Sequence, residues 1–512
     1  MRTAVGTAVL AALLIPLVPA RADDPTADEL LRAAEQKLRA VTETTGPSVA
    51  CVVVSRSDAY PKPAAQEHPG QLGGFDPAEF MKADPTPTRT ALARKLDLSD
   101  RDNAPDHGSA GGVVIDQGGL VLTTYYAVEG ATKIYVHLPG GRGSYADVHA
   151  ADARSDLAVL RLLTPPAGLR AVPIGEARLA EGERNNPNVF PGKLVVLMAF
   201  AYSSGFEMRQ ASAWLGSVGN VRRSRPKDKN EARQSLSWYT YGTVLEFNTV
   251  FLPGGKGGVA ANLVTNGAPL LGLDGELLGL TTTMAAAVGD LTGPVYALPI
   301  DPNVRRIVEV LRRGEEVEYG FLGVIFDRSD RRGGIVLTGV TPRGPAALAG
   351  VTKDDMIVKI NGVRVEAYED LLLYAGTALA GSRLTLRLRT GAVERDVEVT
   401  MAKFKNEAPF IASRRPAPVF GLRVDYSSIL AQSLMSGVPP GVVVRELGPN
   451  SPAAAKFNPL GNPNRWVITR VNGTRVTTPA EFYKAAEGQP SVKLTLLDAT
   501  VPNAKEQDLT LP

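Results

Sequence analysis

Apolar and polar positions along the chain fall into distinct textures. An apolar run over residues 8–18 follows Arg2 and precedes Ala20-Arg21-Ala22, which places small residues where a signal peptidase reads. That pattern predicts an export signal over residues 1–22. The segment 23–45 holds Leu30, Leu31, Ala34, Leu38 and Val41 near helical spacing, with Glu29, Arg32, Glu35 and Lys37 between them, and predicts an amphipathic helix over 26–42. Residues 47–54 read as a buried strand. From 55 to 105 Pro, Asp, Gly and Lys recur without a period, which predicts a long insertion with one short helix near 77–81. Between 108 and 300 short apolar runs alternate with glycine turns, a strand pattern whose strongest run is 194–201. Helical spacing returns over 301–313.

Beyond 313 the chain repeats itself. Tyr319-Gly320-Phe321-Leu322-Gly323-Val324, then Gly339-Val340-Thr341-Pro342-Arg343-Gly344-Pro345-Ala346-Ala347, then Asp355-Met356-Ile357-Val358-Lys359-Ile360-Asn361-Gly362 form the first copy. Val419-Phe420-Gly421-Leu422, then Leu447-Gly448-Pro449-Asn450-Ser451-Pro452-Ala453-Ala454-Ala455, then Trp466-Val467-Ile468-Thr469-Arg470-Val471-Asn472-Gly473 form the second. Matching blocks in the same order mark a duplication. Residues 403–418, with their Pro and Arg, read as the connector.

Composition narrows the function classes. The 512 residues carry 56 Lys and Arg against 53 Asp and Glu, a formal charge of +3, which excludes a polybasic nucleic-acid binder as the default. High Gly (51) and Pro (38) with 6% aromatics favour turn-rich β structure. The single cysteine, Cys51, excludes an internal disulfide framework and a Cys-based zinc site, and four histidines leave little for a metal cluster. No metal and no cofactor is expected. Gly254-Gly255-Lys256-Gly257-Gly258 lacks the Lys-Ser/Thr ending of a phosphate loop and reads as a surface loop.

Each repeat resembles a PDZ domain. In that fold a Φ-Gly-Φ turn lets successive backbone N–H groups converge on a peptide's terminal carboxylate, while the strand edge pairs with the peptide. The resemblance assigns those donors to Leu322, Gly323 and Val324 in the first repeat, and to Phe420, Gly421 and Leu422 in the second. The groove helices are expected over 369–376, with Leu372 and Leu373 facing the pocket, and after Thr478-Pro479-Ala480-Glu481, a capping box. Protein or peptide ligands are the implied partners, with no nucleic acid and no membrane span after signal cleavage.

The preceding region resembles the trypsin-like domain of the HtrA (Deg) family. Its matching blocks are Gly108-Ser109-Ala110-Gly111-Gly112-Val113-Val114-Ile115-Asp116, Gly119-Leu120-Val121-Leu122-Thr123-Thr124, Arg154-Ser155-Asp156-Leu157-Ala158-Val159-Leu160 and the stretch 266–279. The resemblance implies a mainly β chain: a trypsin-like double β-barrel over 46–315 with the 55–105 insertion, then PDZ domains over 316–405 and 416–512. It also implies a periplasmic or extracellular location and a homo-oligomer, a trimer in this family.

The family's triad can be followed position by position. A serine hydroxyl attacks a carbonyl only when an imidazole takes its proton and a carboxylate holds that imidazole. Where the family has histidine this chain has Tyr126, a group with a reference pKa of about 10 that cannot replace imidazole as a base. The aspartate is retained as Asp156. The serine position reads Asn266, whose delocalised amide nitrogen is no nucleophile, and the oxyanion glycine reads Val264. The expectation is a pseudoprotease that binds C-termini or extended peptides as a chaperone-like adaptor or regulator. One alternative is a serine-type endopeptidase using non-standard residues, with His107, His137 and His149 as the spare imidazoles. Another is an envelope component with closed PDZ grooves.

Overall fold

The computed structural model describes residues 26–56, 97–99, 109–179, 187–200, 210–223, 244–249, 266–282, 295–327, 333–434, 437–501 and 503–512. The export signal, the helix near 77–81, His107, the 254–258 loop and Val264 lie outside the described residues. The N-terminal helix spans Ala27–Thr45. Thr26 caps it reciprocally: its hydroxyl accepts from the Glu29 N–H, and the Glu29 carboxylate accepts from the Thr26 N–H. Its far end packs, through Leu38, Val41 and Thr45; Leu30 and Leu31 are exposed.

Two closed barrels of six strands follow. The first comprises β1 (Val49–Ser55), β2 (Ser109–Val114), β3 (Leu120–Thr124), β4 (Lys133–Leu138), β5 (Arg142–Asp152) and β6 (Leu157–Leu162), ordered β5-β4-β1-β2-β3-β6 with β6 returning to β5. The second comprises β7 (Leu194–Ala199), β8 (Ser212–Arg223), β9 (Val244–Thr249), β10 (Pro269–Leu271), β11 (Leu277–Thr281) and β12 (Val295–Pro299). The unbroken apolar run of β1 has a physical reason, because successive side chains leave a strand on opposite faces. Ala50, Val52 and Val54 fill the first barrel, while Val49, Cys51 and Val53 join the core shared with Val196, Met198, Leu271 and Leu298 of the second. Burial there pushes the Cys51 thiol up to about 12, so it is a core group and no nucleophile. The helix Pro302–Arg312, capped by Asp301 on the Asn303 and Val304 N–H groups, inserts Val304, Ile307, Val308 and Leu311 into the same core.

The two repeats share one topology. The first has the strand path Val324–Phe326, Ile335–Val340, Met356–Ile360, Arg383–Thr390, Val393–Thr400, with Val363–Arg364 paired beside the third strand. The second follows the same path through Leu422–Tyr426, Val442–Leu447, Trp466–Val471, Val492–Asp498 and Gln507–Leu511, with Thr474–Arg475 beside the third.

Within the stretch read as a connector, one short strand adds to the first barrel's sheet. This strand, Phe410–Ala412, pairs antiparallel with β5, Phe410 opposite Asp152 and Ala412 opposite Ala150. β4 covers β5 only from Arg142 to Tyr145, so the rest of that edge offers unpaired amides that a strand can take up. The strap is pinned at His149, whose Nδ1 lies 2.8 Å from the Ser413 hydroxyl and whose Nε2 lies 3.2 Å from the Arg312 carbonyl. Burial, and then Arg161 and Arg414, hold the His149 ring below its ordinary value of 6.5. A ring that binds its proton less readily when folded contributes stability that is present above the ordinary value and lost as pH falls below it. The urea midpoint of the wild-type chain should therefore drop between about pH 7.5 and 5.5 by more than that of a His149→Gln chain. Equal drops would remove His149 from the strap's energetics.

Candidate functional site

The cleft between the barrels is built by close backbone approach. The Gly111 N–H donates to the Asn266 carbonyl (2.6 Å), and a Cβ on Gly111 would stand 2.6 Å from the Ala268 nitrogen. Gly267 has φ +79°, and a Cβ there would stand 2.5 Å from the Gly111 carbonyl oxygen. Only glycine satisfies both sides of this contact. The Gly267 N–H donates to the Thr281 carbonyl and the Ala268 N–H to the Thr281 hydroxyl, which fixes the turn carrying Asn266 against β11.

On the facing side a single helical turn, Tyr125–Val128, follows β3. Its first two N–H groups are taken by Asp156: Tyr125 donates to the Asp156 carbonyl and Tyr126 to the Asp156 carboxylate (2.8 Å). The other carboxylate oxygen lies 3.4 Å from the Thr282 hydroxyl, one residue beyond Thr281. Thr281 and Thr282 thus join the positions of Asp156 and Asn266 into one cleft. Asp156 is 3% exposed with φ +55°, and Asn266 is also buried, whereas Tyr126 is 37% exposed. Among the spare imidazoles, His137 is buried with Nε2 on the Leu98 carbonyl, and His149 lies under the strap, away from this cleft.

The first repeat orients amides for an incoming strand. The Leu322 carbonyl accepts from the Ala346 N–H (3.0 Å) and the Gly323 carbonyl from the Thr341 N–H (2.9 Å). In a trans peptide the N–H of the next residue points the opposite way, so the Gly323 and Val324 N–H groups face away from the 341–346 loop. Gly323, at φ +79°, makes that turn, and Val324–Phe326 forms a sheet edge. The helix Tyr368–Gly376 begins one residue before the predicted span, and Leu372 and Leu373 on it are half-buried.

The second repeat departs from expectation. Phe420 and Gly421 both have positive φ (51° and 83°), a pair that closes a tight hairpin turn. Its ends bond to each other: the Leu422 N–H donates to the Val419 carbonyl (2.8 Å) and Val419 donates back (3.0 Å). Leu422, expected as a carboxylate donor beside Phe420 and Gly421, has therefore spent its N–H inside the turn.

Known proteins resemble this arrangement. Residues 110–280 match the trypsin-like peptidase domain and residues 320–401 the PDZ domain. The chain is 26% identical over 393 residues to a probable periplasmic serine endoprotease DegP-like of Marinomonas sp. (strain MWYL1), covering 74% of each. It is 25% identical over 398 residues to the periplasmic serine endoprotease DegP of Escherichia coli (strain K12), covering 74% of this chain and 72% of that one. A solved structure, the HtrA-type protease AlgW with tripeptide, overlays on 74% of this chain and 98% of its own at 15% identity and a TM-score of 0.44. The class is thus a trypsin-like peptidase fold followed by a PDZ domain. Within it the chain is similar to proteins named as HtrA/DegP-type serine endoproteases, and those relatives are named as periplasmic.

Several residues that shape the site carry no local signal. Thr282 reaches Asp156 from 126 positions away, and Thr281 holds the Ala268 N–H from 13 positions away. Asp156 holds the Tyr126 N–H and faces the Thr282 hydroxyl. Replacing it with alanine should lower stability by about 1–3 kcal/mol, because the Tyr126 N–H loses its acceptor. Asparagine, which accepts the same bond and tolerates positive φ, should recover most of that loss. Urea unfolding of both variants checks this, and equal losses would point instead to a need for the negative charge.

Proposed function

We propose that this chain is an HtrA-like pseudoprotease, a periplasmic binder of peptide or protein C-termini that acts as a chaperone-like adaptor or regulator. One observation carries the reading: the Asp156 carboxylate accepts from the Tyr126 backbone N–H and faces the Thr282 hydroxyl, with Tyr126 where the resemblance puts the imidazole and Asn266 where it puts the nucleophile. Val264 at the oxyanion position adds to it. Peptide capture falls to the first repeat, through the amides of Leu322, Gly323 and Val324 and the edge strand beyond them. Homo-oligomer formation, a trimer by resemblance, belongs to the same reading.

A second reading rests on a specific contact. The exposed Ser413 hydroxyl lies 2.8 Å from His149 Nδ1, and the other ring nitrogen faces the Arg312 carbonyl, so a serine and an imidazole do meet in this chain. Chemistry weighs against a working dyad. The Arg161 guanidinium also lies on Nδ1, at 3.1 Å, and opposes the positive charge the ring must carry when it takes the serine proton.

Cleavage of unfolded casein by the purified mature chain separates the readings, beside Asn266→Ala and Ser413→Ala variants. The expected result is no cleavage by any of them, since a triad-less site retains at most about 10³–10⁴-fold over water. Loss of a wild-type activity in Ser413→Ala alone would establish the strap dyad. Loss in Asn266→Ala alone would overturn the pseudoprotease assignment.

A further inference from the structure

The edge strand of the second repeat, Leu422–Tyr426, is the element that a peptide would pair with. In a strand the outward amides recur every second residue, here at Leu422, Val424 and Tyr426. Each is already met by the chain itself. The Leu422 N–H donates to the Val419 carbonyl at 2.8 Å. The Val424 N–H points across the groove to the Tyr483 hydroxyl, a long bond of 3.5 Å. Tyr483 lies on the groove helix Pro479–Ala486, which is set by the buried Phe482 and by the capping box at Thr478 and Glu481. The Tyr426 N–H donates to the Asp425 carboxylate at 2.8 Å.

That carboxylate is the link to the rest of the molecule. Asp425 is buried and binds Lys403 Nζ of the first repeat at 2.9 Å and Arg445 at 2.7 Å. Lys403 is itself buried and also holds Glu316 and Glu318, which lie on the segment leading into the first repeat. Burial works against the Lys403 charge, yet Asp425, Glu316 and Glu318 outweigh it and raise its pKa. The Lys403 carbonyl accepts from the Ser428 hydroxyl and the Gln432 amide of the helix Ser428–Leu434. Docking on the first repeat and capping of the third outward amide are therefore made by the same side chain.

We propose that the second repeat is a self-sealed brace: Val419, Tyr483 and Asp425 occupy its strand-pairing amides, and its edge fixes the first repeat instead of receiving peptide. This rests on the reading of the repeats as PDZ-type and of the first as the receptor. The chain then holds one carboxylate-terminal peptide site, not two, and the strap Phe410–Ala412 keeps the brace attached to the barrel.

Residue-resolved amide hydrogen exchange on the full mature chain tests this. The ligand probe is a decapeptide ending in Ala-Leu-Val with a free carboxylate, and its C-terminal amide serves as control. In the free protein the amides of Leu422, Val424 and Tyr426 should exchange slowly. Tyr483→Phe, which removes one hydroxyl, should speed Val424 exchange about two- to tenfold and leave Leu422 unchanged. Adding the free-carboxylate peptide should slow exchange over 322–326 and leave 422–426 as it was. Slowing over 422–426 by peptide, or a Val424 amide indifferent to Tyr483→Phe, overturns the brace. If peptide slows neither edge while Tyr483→Phe acts as expected, the receptor reading of the first repeat fails and the seal stands.

Discussion

Asp152 joins three parts of the molecule. Its Oδ2 accepts from the Ser155 N–H (2.9 Å), from the Ser155 hydroxyl (2.6 Å) and from the Tyr319 hydroxyl at the entrance to the first repeat. The carboxylate is fully buried, and burial raises its pKa despite those donors. One residue on, the Ala153 N–H donates to the Pro409 carbonyl at the start of the strap. Arg154 then stacks on the rings of Tyr319 and Phe404 and reaches the Gly376 carbonyl at the end of the first groove helix. The turn that ends in Asp156 is thus gripped by barrel, first repeat and strap together. Hydrogen bonds to a charged group contribute about 1.5–3 kcal/mol each, so this turn is among the better determined in the chain.

That grip sets the shape of the cleft through the backbone. Gly111, Gly267, Thr281 and Thr282 hold the two barrels at a close backbone approach that does not depend on which side chains stand at 126 and 266. An aspartate in the left-handed region, with its carboxylate on two donors, is held by the fold whether or not an imidazole stands beside it. On the proposed reading, what remains is a rigid platform that presents a peptide edge at Val324–Phe326.

The barrels and repeats were legible because their signals are local. The run of β1, the caps at Thr26, Asp301 and Thr478, and the Φ-Gly-Φ turns each announce an element within a few residues. Asp156, Tyr126 and Asn266 could be placed from flanking blocks for the same reason. The strap was not legible. Phe410-Ile411-Ala412 is too short to stand out, and its partner on β5 lies some 260 residues away, where only the barrel's open edge invites it. Nor could the turn at Phe420 be told from its counterpart at Leu322, because both contain the same Φ-Gly-Φ triplet. What separates them is the hairpin bond between Val419 and Leu422, and a triplet does not encode it. Tyr483 and Lys403 act through partners far along the chain, so their roles emerged only from the packed molecule.

The claim that this fold has kept its cleft and lost its nucleophile is tested most directly by a fluorophosphonate probe, which forms a covalent adduct only with an activated serine. Intact mass of the purified chain after incubation should show no added mass. A single adduct, located by peptide mapping on Ser413 or on any other serine, would contradict the account and identify the nucleophile.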